Sequence, residues 1–536
     1  MSMAITVMAT VKSTNKIIPT SALICFLLTP APIWAGEWTF EPNIGLTETY
    51  TNNVELSPNS KQSSLVSQAF IGLNTDYKSK YFDFAFKGTE TYAAFSHDSD
   101  INDDFQEAQV DSRLFIGDTG LQIIASSSIE NISKNDTDNS LADLVSGDTI
   151  QQQRHNAGLE YNVFNTDFSI TSSITYNITN TEDNIGEYEG YSFDLITKNG
   201  RSARNVFWQV DAEFDQRENK DFNGKSYSIE AKVGAITSYR INPFIRAYDE
   251  DLTGNILGAN SNNSTPSIGP GIRWLPTDHF FIDIAYNFVD ENISNSDDYV
   301  STSINWKPSA RTFLSAGYSQ RFYGDSYDFS FSHKNKRLTN RITYVESLEA
   351  FDRNTFIETD LGVFLCPSSD IELSSPADCF VTNTPNIPDS YTYTTFTSLT
   401  PVENNEFTLN KRLGWKSILA LSRTTFTFDI STRDREPLSS GVVDSYLNIS
   451  FDISRKFSPI STINFKTRYS ENIYNKNNPD GAGQKDKYKV LTATYNRELA
   501  DSISSFISIQ LLDRESTRVD RNYQEARASL NITKDF

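Results

Sequence analysis

The last nine residues of the chain, "ASLNITKDF" (528–536), alternate between two kinds of side chain. Leu530, Ile532 and Phe536 are apolar and share one face of an extended chain, and Lys534 is the one departure on that face. Period-two alternation is typical of a β-strand with one buried or lipid-covered face. Chain ends of soluble domains are more often frayed and polar. We therefore expect this segment to be a full strand of a sheet.

The same alternation recurs along the chain, for example in residues 167–178, 205–214 and 280–288. The apolar faces of these three segments are Phe168, Ile170, Ile174, Tyr176 and Ile178; Val206, Trp208, Val210, Ala212 and Phe214; and Phe280, Ile282, Ile284, Tyr286 and Phe288. The opposite faces carry mainly Asp, Ser, Thr, Asn and Gln. The sequence thus predicts an all-β protein of about 24 antiparallel strands, within a range of 20 to 26.

The connections between these strands fall into two alternating sets. Short ones, often with Lys or Arg, lie at 77–80, 117–120, 198–204, 307–311 and 455–459; long ones, rich in Asp and Glu, lie at 97–104, 131–148, 180–190 and 290–298. A soluble sandwich or propeller would not sort its loops in this way, whereas a transmembrane β-barrel has short periplasmic turns and long external loops. Because backbone groups in a bilayer must all be paired, the sheet must close. We predict a single transmembrane barrel with both of its ends on the periplasmic side.

Composition excludes other classes of protein. The chain has 536 residues, 38% of them hydrophobic, and a formal net charge of -22. It is too polar for a bundle of membrane helices, and after Ala35 no run of about 18 apolar residues could form one. The acidic balance also makes nucleic acid an unfavourable ligand, since the basic residues form no continuous stripe.

The first 35 residues form a separate segment. Lys12 and Lys16 precede an apolar stretch that contains Pro30 and Pro32 and ends at Ala35. This pattern predicts a secretory signal peptide over residues 1–35, cleaved after Ala35. The alternative is a retained membrane anchor, which the two prolines disfavour. The barrel would then occupy residues 36–536.

The connection over about 349–404 is the longest in the chain and contains two cysteines. Cys366 and Cys379 are close in sequence, and in an exported protein such a pair predicts a disulfide that closes a small loop. A metal site is the weaker alternative, because no His lies nearby. The segment would either fold into the lumen and narrow it, or remain outside as a binding surface or a protease-resistant loop.

No residue pattern supports a catalytic or cofactor site. His97 stands beside Asp98 and Asp100, which formally suits an acid–base pair, but a solvated loop histidine is the favoured interpretation. The other histidines are His155, His279 and His333, and none has a partner at a spacing typical of a nucleophile or metal site. The acidic stretches 99–104 and 135–139 are rich in the oxygen ligands that Ca²⁺ prefers. Neither completes a Ca²⁺-loop pattern, which favours a solvated acidic surface; we predict no metal site.

Two segments resemble a known family. Residues 40–56, "FEPNIGLTETYTNNVEL", are similar to the opening of the outer-membrane β-barrel proteins found with PEP-CTERM sorting systems. A second segment, 405–436, is similar to another part of that family. The matching positions are Pro42, Tyr50, Thr51, Asn53 and Val54 in the first segment, and Leu409, Lys411, Arg412 and Arg423 in the second. The terminal strand, with Leu530, Ile532 and Phe536, resembles the assembly signal of bacterial outer-membrane barrels.

The resemblance implies a Gram-negative outer-membrane barrel associated with exopolysaccharide production and protein sorting. Its implied partners are outer-membrane lipid and lipopolysaccharide, the barrel-assembly machinery, and exopolysaccharide or export components. A ring of about 24 strands is wide enough for a polymer or a plug. We therefore hypothesise a passive, porin-like conduit whose acidic balance favours cations or neutral sugars. The alternative is a structural or binding barrel whose external loops hold a matrix polymer or a partner protein.

Overall fold

The computed structural model describes residues 36–536, apart from gaps in the connections. The gaps are residues 136, 138–142, 146–148, 257–263, 291–296, 352, 354, 368–390, 404–405, 478–482 and 519–520. The predicted signal peptide, residues 1–35, lies outside the described residues. Among the described residues, the single helix is a three-residue 3₁₀ turn, Ser99–Ile101, and no helix is long and apolar enough to cross a membrane.

Twenty-six strands follow one another in the described part of the chain, and 24 of them form one antiparallel sheet. They are β1 (Gly36–Thr51), β2 (Ser64–Ser79), β3 (Phe82–Phe95), β4 (Asp103–Phe115), β5 (Leu121–Ser133), β6 (Thr149–Phe164), β7 (Phe168–Thr181), β8 (Tyr188–Asn199), β9 (Val206–Glu218), β10 (Asn223–Ala235), β11 (Ile241–Gly254), β12 (Ser267–Thr277), β13 (Phe280–Val289), β14 (Tyr299–Ser309), β15 (Thr312–Arg321), β16 (Gly324–Lys334), β17 (Leu338–Glu349), β18 (Thr355–Pro367), β19 (Tyr391–Val402), β20 (Thr408–Ala420), β21 (Thr424–Pro437), β22 (Asp444–Ser458), β23 (Ser461–Ile473), β24 (Lys485–Ala500), β25 (Ile503–Ser516) and β26 (Tyr523–Asp535). Strands β18 and β19 pair only with each other, so this hairpin stands apart from the large sheet.

The large sheet closes on itself. Strand β1 pairs with β2 on one side and with β26 on the other, from Asn43 opposite Asp535 to Thr51 opposite Arg527. Each remaining strand pairs with its neighbours in sequence, except that β17 pairs directly with β20. The predicted all-β class, the closed barrel and the number of about 24 strands are confirmed.

The connections of the ring alternate between two ends of the barrel. Eleven turns of two to six residues lie at one end, called here the short-turn end, together with Gly36 and Phe536. The other end, called the long-loop end, has twelve connections that include residues 134–148 and 350–407. Five of these twelve are no longer than six residues, at 182–187, 219–222, 322–323, 438–443 and 517–522, so the predicted alternation of loop lengths holds with five exceptions.

The outer face of the ring is apolar over a broad belt. The three faces predicted from alternation all point outward, and their side chains are exposed or half-buried; Ile174, Ile284 and Phe288 are 47%, 52% and 51% exposed. From Phe168 to Ile178 the belt spans ten residues of β7, which is roughly 25 Å along the barrel axis for a strand tilted by about 40°. A bilayer core is the surface that such a belt fits.

The two borders of the belt differ in chemistry. Towards the short-turn end it carries four outward tryptophans: Trp38, Trp208, Trp274 and Trp306. Towards the long-loop end six tyrosine hydroxyls donate hydrogen bonds to neighbouring carboxylates: Tyr176 to Glu189, Tyr227 to Asp249, Tyr286 to Asp298, Tyr318 to Asp325, Tyr344 to Glu346 and Tyr469 to Glu471. Amphipathic aromatic rings of this kind concentrate at membrane interfaces.

The ring is strongly pinched. In a circular barrel of 24 strands, a spacing of about 4.8 Å and a tilt of about 40° give a radius near 24 Å, so strands four apart lie about 24 Å from each other. Yet Arg321 Nε of β15 lies 2.7 Å from Glu250 Oε2 of β11. Eight strands apart, Arg217 of β9 donates from Nη1 to the main-chain oxygen of Ala350, directly after β17, at 3.0 Å. Strands β9–β17 therefore curl into a narrow lobe, and β17, β20–β26 and β1–β9 enclose the rest of the interior, called here the bore.

Candidate functional site in the barrel interior

The inner face of the bore is lined by hydroxyl and amide groups. On β6 to β9 they form a continuous chain in which Asn156 donates to Asn177, Asn177 to Ser192, and Ser192 to Asp215, over distances of 2.6, 3.0 and 3.1 Å. Such side chains hydrogen-bond to water or to neutral hydroxylated solutes without a large desolvation cost. The inner wall therefore suits an aqueous path.

A network of ion pairs lies inside the lobe. Arg246, 2% exposed, donates from Nε to Glu230 Oε1 at 2.5 Å and from Nη1 to Asn287 Oδ1 and the Tyr299 hydroxyl, both at 3.0 Å. Its Nη2 donates to Ser319 Oγ at 3.3 Å. Buried charges are tolerated when they are paired and their hydrogen-bonding groups are satisfied. Arg246 meets both conditions, so it links β11 to four other strands of the lobe.

Two carboxylates extend this network towards the ends of the lobe. Asp283, 3% exposed, accepts from Arg273 at 2.7 and 2.8 Å and lies 3.7 Å from Lys232 Nζ. Glu250, 1% exposed, pairs with Arg321 and accepts from the Thr265 hydroxyl at 2.6 Å. A cavity of about 220 Å³ remains beside this network, and Glu230, Lys232, Arg246, Asp283 and Arg321 are among the residues that line it.

Apolar clusters close the lobe above and below the network. Near the short-turn end Phe207, Phe244 and Ala285 are buried against each other. Near the long-loop end a larger cluster joins both sides of the pinch: Leu252, Ile256, Ala350, Phe351 and Phe407. These clusters narrow the lobe towards both ends, so the bore is the wider part of the interior.

Residues of the β5–β6 loop reach the opposite part of the bore wall. The main-chain oxygen of Thr137, which is fully buried, accepts from Arg514 Nη2 at 2.6 Å and from Arg521 Nη1 at 2.8 Å. Asp143 of the same loop pairs with Arg527 at 3.0 Å. These arginines belong to β25, β26 and the loop between them, so the β5–β6 loop extends across part of the mouth at the long-loop end.

The base of the β18–β19 hairpin covers another part of that mouth. Arg353 forms a bidentate pair with Asp183, with both contacts at 2.5 Å, and also donates to the main-chain oxygen of Lys134 at 2.5 Å. Glu403 accepts from the main-chain nitrogen of Gly186 at 2.8 Å and from Asn219 at 3.1 Å. The hairpin leaves the ring between β17 and β20, yet its base is fixed to the loops that follow β5, β7 and β9. It therefore bridges the mouth.

Burial affects Glu403, which lies in a loop at the long-loop end. Desolvation raises the pKa of its carboxyl above the ordinary value, against the opposing effect of the hydrogen bonds from Gly186 and Asn219. The contact between the hairpin base and the β7–β8 loop is consequently sensitive to proton concentration.

The predicted site residues lie at two places. Leu530 and Ile532 face outward on β26, 47% and 48% exposed, and Phe536 follows with 61%. Lys534 Nζ lies 4.5 Å from the centre of the Phe536 ring, a cation–π contact at the border of the belt. Cys366 belongs to β18, whereas Cys379 lies outside the described residues, so the disulfide stays a prediction.

The histidines contact hydroxyl groups. His97 Nδ1 lies 2.9 Å from Ser64 Oγ, while the neighbouring Asp98 caps the 3₁₀ turn instead of orienting the imidazole. His155 lies 2.9 Å from Ser127 Oγ on the outer face. A serine nucleophile needs a third group that orients the histidine. In the part of the chain that the structure describes, no hydrogen bond reaches the second ring nitrogen of His155.

The two acidic stretches adopt different structures. Asp103 and Asp104 are successive residues of β4, so their carboxylates point to opposite faces of the sheet. Of the stretch 135–139, Asn135 and Thr137 are described, and the main-chain oxygen of Thr137 accepts a hydrogen bond from Arg514. Among the described residues no group of three or more His, Cys, Asp or Glu side chains is placed to hold a metal ion.

Sequence reasoning did not find the lobe network or the contacts at the mouth. The sequence did contain a sign of the lobe network, namely charged residues at inward positions of neighbouring strands, such as Glu230, Arg246 and Asp283. Alternation identifies these positions as inward but does not tell which of them meet across the interior. No sequence pattern distinguished Arg353 from the other residues of a connection that is more than 50 residues long.

Comparison with known proteins gives structural similarity alone. No family model matches the chain, and no curated protein matches it. Similar solved structures include the siderophore receptor PirA from Acinetobacter baumannii, with 10% identity, a TM-score of 0.40, and coverage of 93% of this chain and 80% of that one. The FrpB iron transporter from Neisseria meningitidis has 9% identity, a TM-score of 0.41 and coverage of 92% and 82%. OpdK from Pseudomonas aeruginosa has 5% identity, a TM-score of 0.32 and coverage of 93% and 99%. TM-scores below 0.5 give no basis for transferring a ligand or an activity to this chain.

Proposed function

We propose that this protein is an outer-membrane, porin-like barrel that acts as a passive conduit for surface polysaccharide. One observation carries the proposal: a closed ring of 24 strands with an apolar outer belt and a bore lined by hydroxyl, amide and charged groups. A sheet satisfies every backbone group within a bilayer only when it closes on itself. In the proposed orientation the short-turn end faces the periplasm and the long-loop end faces outward.

The polysaccharide setting is the finer part of the proposal. It rests on the resemblance of residues 40–56 and 405–436 to barrels of PEP-CTERM sorting systems. Lipopolysaccharide, the barrel-assembly machinery and export components are the partners proposed with it, and Leu530, Ile532 and Phe536 are proposed as the assembly signal. The proposed role is passage of a polymer, with no chemical step.

Planar-bilayer recording of the purified protein tests the conduit. We expect a measurable ion current and heat-dependent migration on gels, as is typical of a closed barrel. The contacts at the mouth predict that much of the protein is closed at rest. Deleting the hairpin between residues 355 and 402, while keeping its buried base, should increase the open fraction. A folded barrel without current in either form would refute the conduit.

A second candidate is a structural or binding barrel without transport. It is favoured by the bridged mouth, where Arg353 and Glu403 fix the hairpin base to loops from the other side of the ring. For this candidate the same hairpin deletion should abolish binding of a matrix polymer or partner protein at the cell surface, while the bilayer current stays unchanged or absent. The two measurements on one variant therefore separate the candidates.

A further inference from the structure

The part of the bore wall formed by β17, β20 and β21 carries an unusual set of charges. Leu413 and Trp415 of β20 face outward, each 40% exposed, so Arg412 and Lys416 face the bore. The pairing of β20 with both neighbours is regular and identifies the other inward residues. The inward basic residues of the three strands, called here the cationic strip, are Arg341, Arg412, Lys416, Arg433 and Arg435.

Like charges stand directly opposite each other twice in this strip. Arg341 of β17 is the register partner of Lys416 of β20, and Arg412 of β20 is that of Arg433 of β21. Directly opposed like charges destabilise a sheet. An unfavourable arrangement repeated on adjacent strands indicates a role other than stability.

The two pairs differ in their carboxylate partners. Glu349 neutralises part of the upper pair, because it contacts Arg412 and lies 3.3 Å from Arg433. Arg341 and Lys416 are both exposed to the bore, and among the described residues neither has an ion pair within 4.0 Å, although Asp429 is the register partner of Lys416 on β21. The lower pair is thus the part of the strip most open to an external anion.

The net charge of the wall that carries the cationic strip is opposite in sign to the net charge of the whole chain. The inner faces of β17, β20 and β21 hold the five basic residues above and two acidic ones, Glu349 and Asp429. The whole chain has 47 basic and 69 acidic residues. Across the bore, the inner faces of β2 to β8 hold eight acidic residues, Asp76, Asp83, Asp103, Glu107, Asp111, Glu130, Glu160 and Asp194, against five basic ones. An anion in the bore is therefore drawn to one wall.

Space is left between the two pairs. Gly414 lies between Arg412 and Lys416 on the inner face, and a Cβ there would meet only Thr343 Oγ1, at 3.4 Å. The two rows of cations are four residues apart along β20, a separation of roughly 13 Å. An extended chain with repeated anionic groups can contact both rows at once, whereas a single small anion contacts one.

We propose that the cationic strip binds the anionic groups, carboxylate, sulfate or phosphate, of an acidic polysaccharide in the bore. This inference rests on the proposed conduit and names its substrate class. Arginine guanidinium groups match the geometry of such anions and form charge-assisted hydrogen bonds. It differs from the expectation that the acidic balance of the chain favours cations or neutral sugars, because the local charge of this wall is opposite to the overall charge. The strip lies mostly on the β20–β21 hairpin, within the segment 405–436.

The test compares two polymers and three proteins. Polygalacturonate and neutral dextran of matched length are added to open barrels that lack the hairpin between residues 355 and 402, in wild-type, R341Q/K416Q and K411Q backgrounds. Lys411 is the matched control, because it neighbours Arg412 but faces outward and pairs with Glu436. We expect polygalacturonate to block the current and the double variant to weaken that block roughly tenfold or more. Dextran should not block the current. Polygalacturonate should block K411Q as strongly as it blocks the wild-type background.

A second measurement keeps the inference independent of the conduit. Binding of fluorescent polygalacturonate to the detergent-purified barrel is measured by anisotropy, with heat-dependent gel migration as the folding control and R341K as the charge-preserving variant. Strip-dependent binding without any current would refute the conduit and support the binding site. Equal binding by wild type and R341Q/K416Q, or equal block by dextran, would overturn the inference.

Discussion

Adjacent residues of β25 offer a direct test of which face contacts lipid. Ile509 faces outward in the middle of the belt and is 56% exposed, with Ala493 and Ala528 as its register partners. Ser508 is the preceding residue and faces the bore, with Thr494 and Ser529 opposite it. An Ile509→Arg substitution places a cation on the outer face, and Ser508→Arg places the same side chain on the inner face.

The expected magnitudes differ because the surroundings differ. An arginine on the lipid face of a barrel costs about 2–4 kcal/mol near the bilayer midplane. In the bore the same guanidinium stays hydrated, so we expect less than about 0.5 kcal/mol, the usual range for surface substitutions. The difference corresponds to a ratio of roughly 10- to 1,000-fold between the folding equilibria of the two variants.

Urea titration of both variants in phospholipid vesicles, followed by tryptophan fluorescence, measures these free energies of unfolding. Heat-dependent gel migration in the absence of urea shows whether each variant reaches the closed barrel. Equal destabilisation by I509R and S508R would refute the assignment of the outer belt to lipid. A larger effect of S508R would reverse the two faces.

Three further predictions concern the mouth and the lobe. Arg353→Ala removes the bidentate contact with Asp183, and we expect a larger open fraction in bilayer recordings; an unchanged fraction would show that the hairpin base does not control access. Burial raises the pKa of Glu403 above its ordinary 4.5, so docking of the hairpin base should be strongest below that value and weaken as pH rises through the raised pKa. The open fraction of channels should therefore increase as the pH on the long-loop side rises, and E403Q should remove this dependence. If E403Q shows the same pH response as wild type, the response belongs to another group. Finally, Arg246→Met removes one of the two cations that pair with Glu230, and Lys232 remains 3.3 Å from its carboxylate. We therefore expect a cost below the roughly 3–5 kcal/mol of a buried charge left without any partner, measured in urea titrations, and R246M/E230M should recover most of the loss. No recovery in the double variant would show that the two residues act independently.

The inward and outward faces could be predicted because they follow from local geometry. In an extended chain successive side chains point to opposite sides, so the apolar positions of 167–178, 205–214 and 280–288 indicated their common face without knowledge of any partner strand. The interior sites could not be predicted in the same way. Whether Arg246 meets Ser319, or Arg341 meets Lys416, depends on curvature and register between strands distant in sequence.

The long connection between β17 and β20 shows the same limit. Its length and its cysteines were evident, and two positions for it were left open. The contacts of Arg353 and Glu403 with loops beyond the other side of the pinch place its base across the mouth. Side chains of the hairpin itself lie largely outside the described residues, and the pairing of Cys366 with Cys379 stays a prediction.

The sequence by itself determined the strand number, the apolar belt and the two kinds of connection, because these are periodic properties that each segment expresses alone. The tertiary structure decided that the ring is pinched into a lobe with an ion-pair network and a bore, and that like charges stand opposite each other on β17, β20 and β21. These features arise when residues far apart in the chain are brought to the same height on the inner wall. Hydrogen-bond register and sheet curvature set that height, and neither is encoded in the alternation of any single strand.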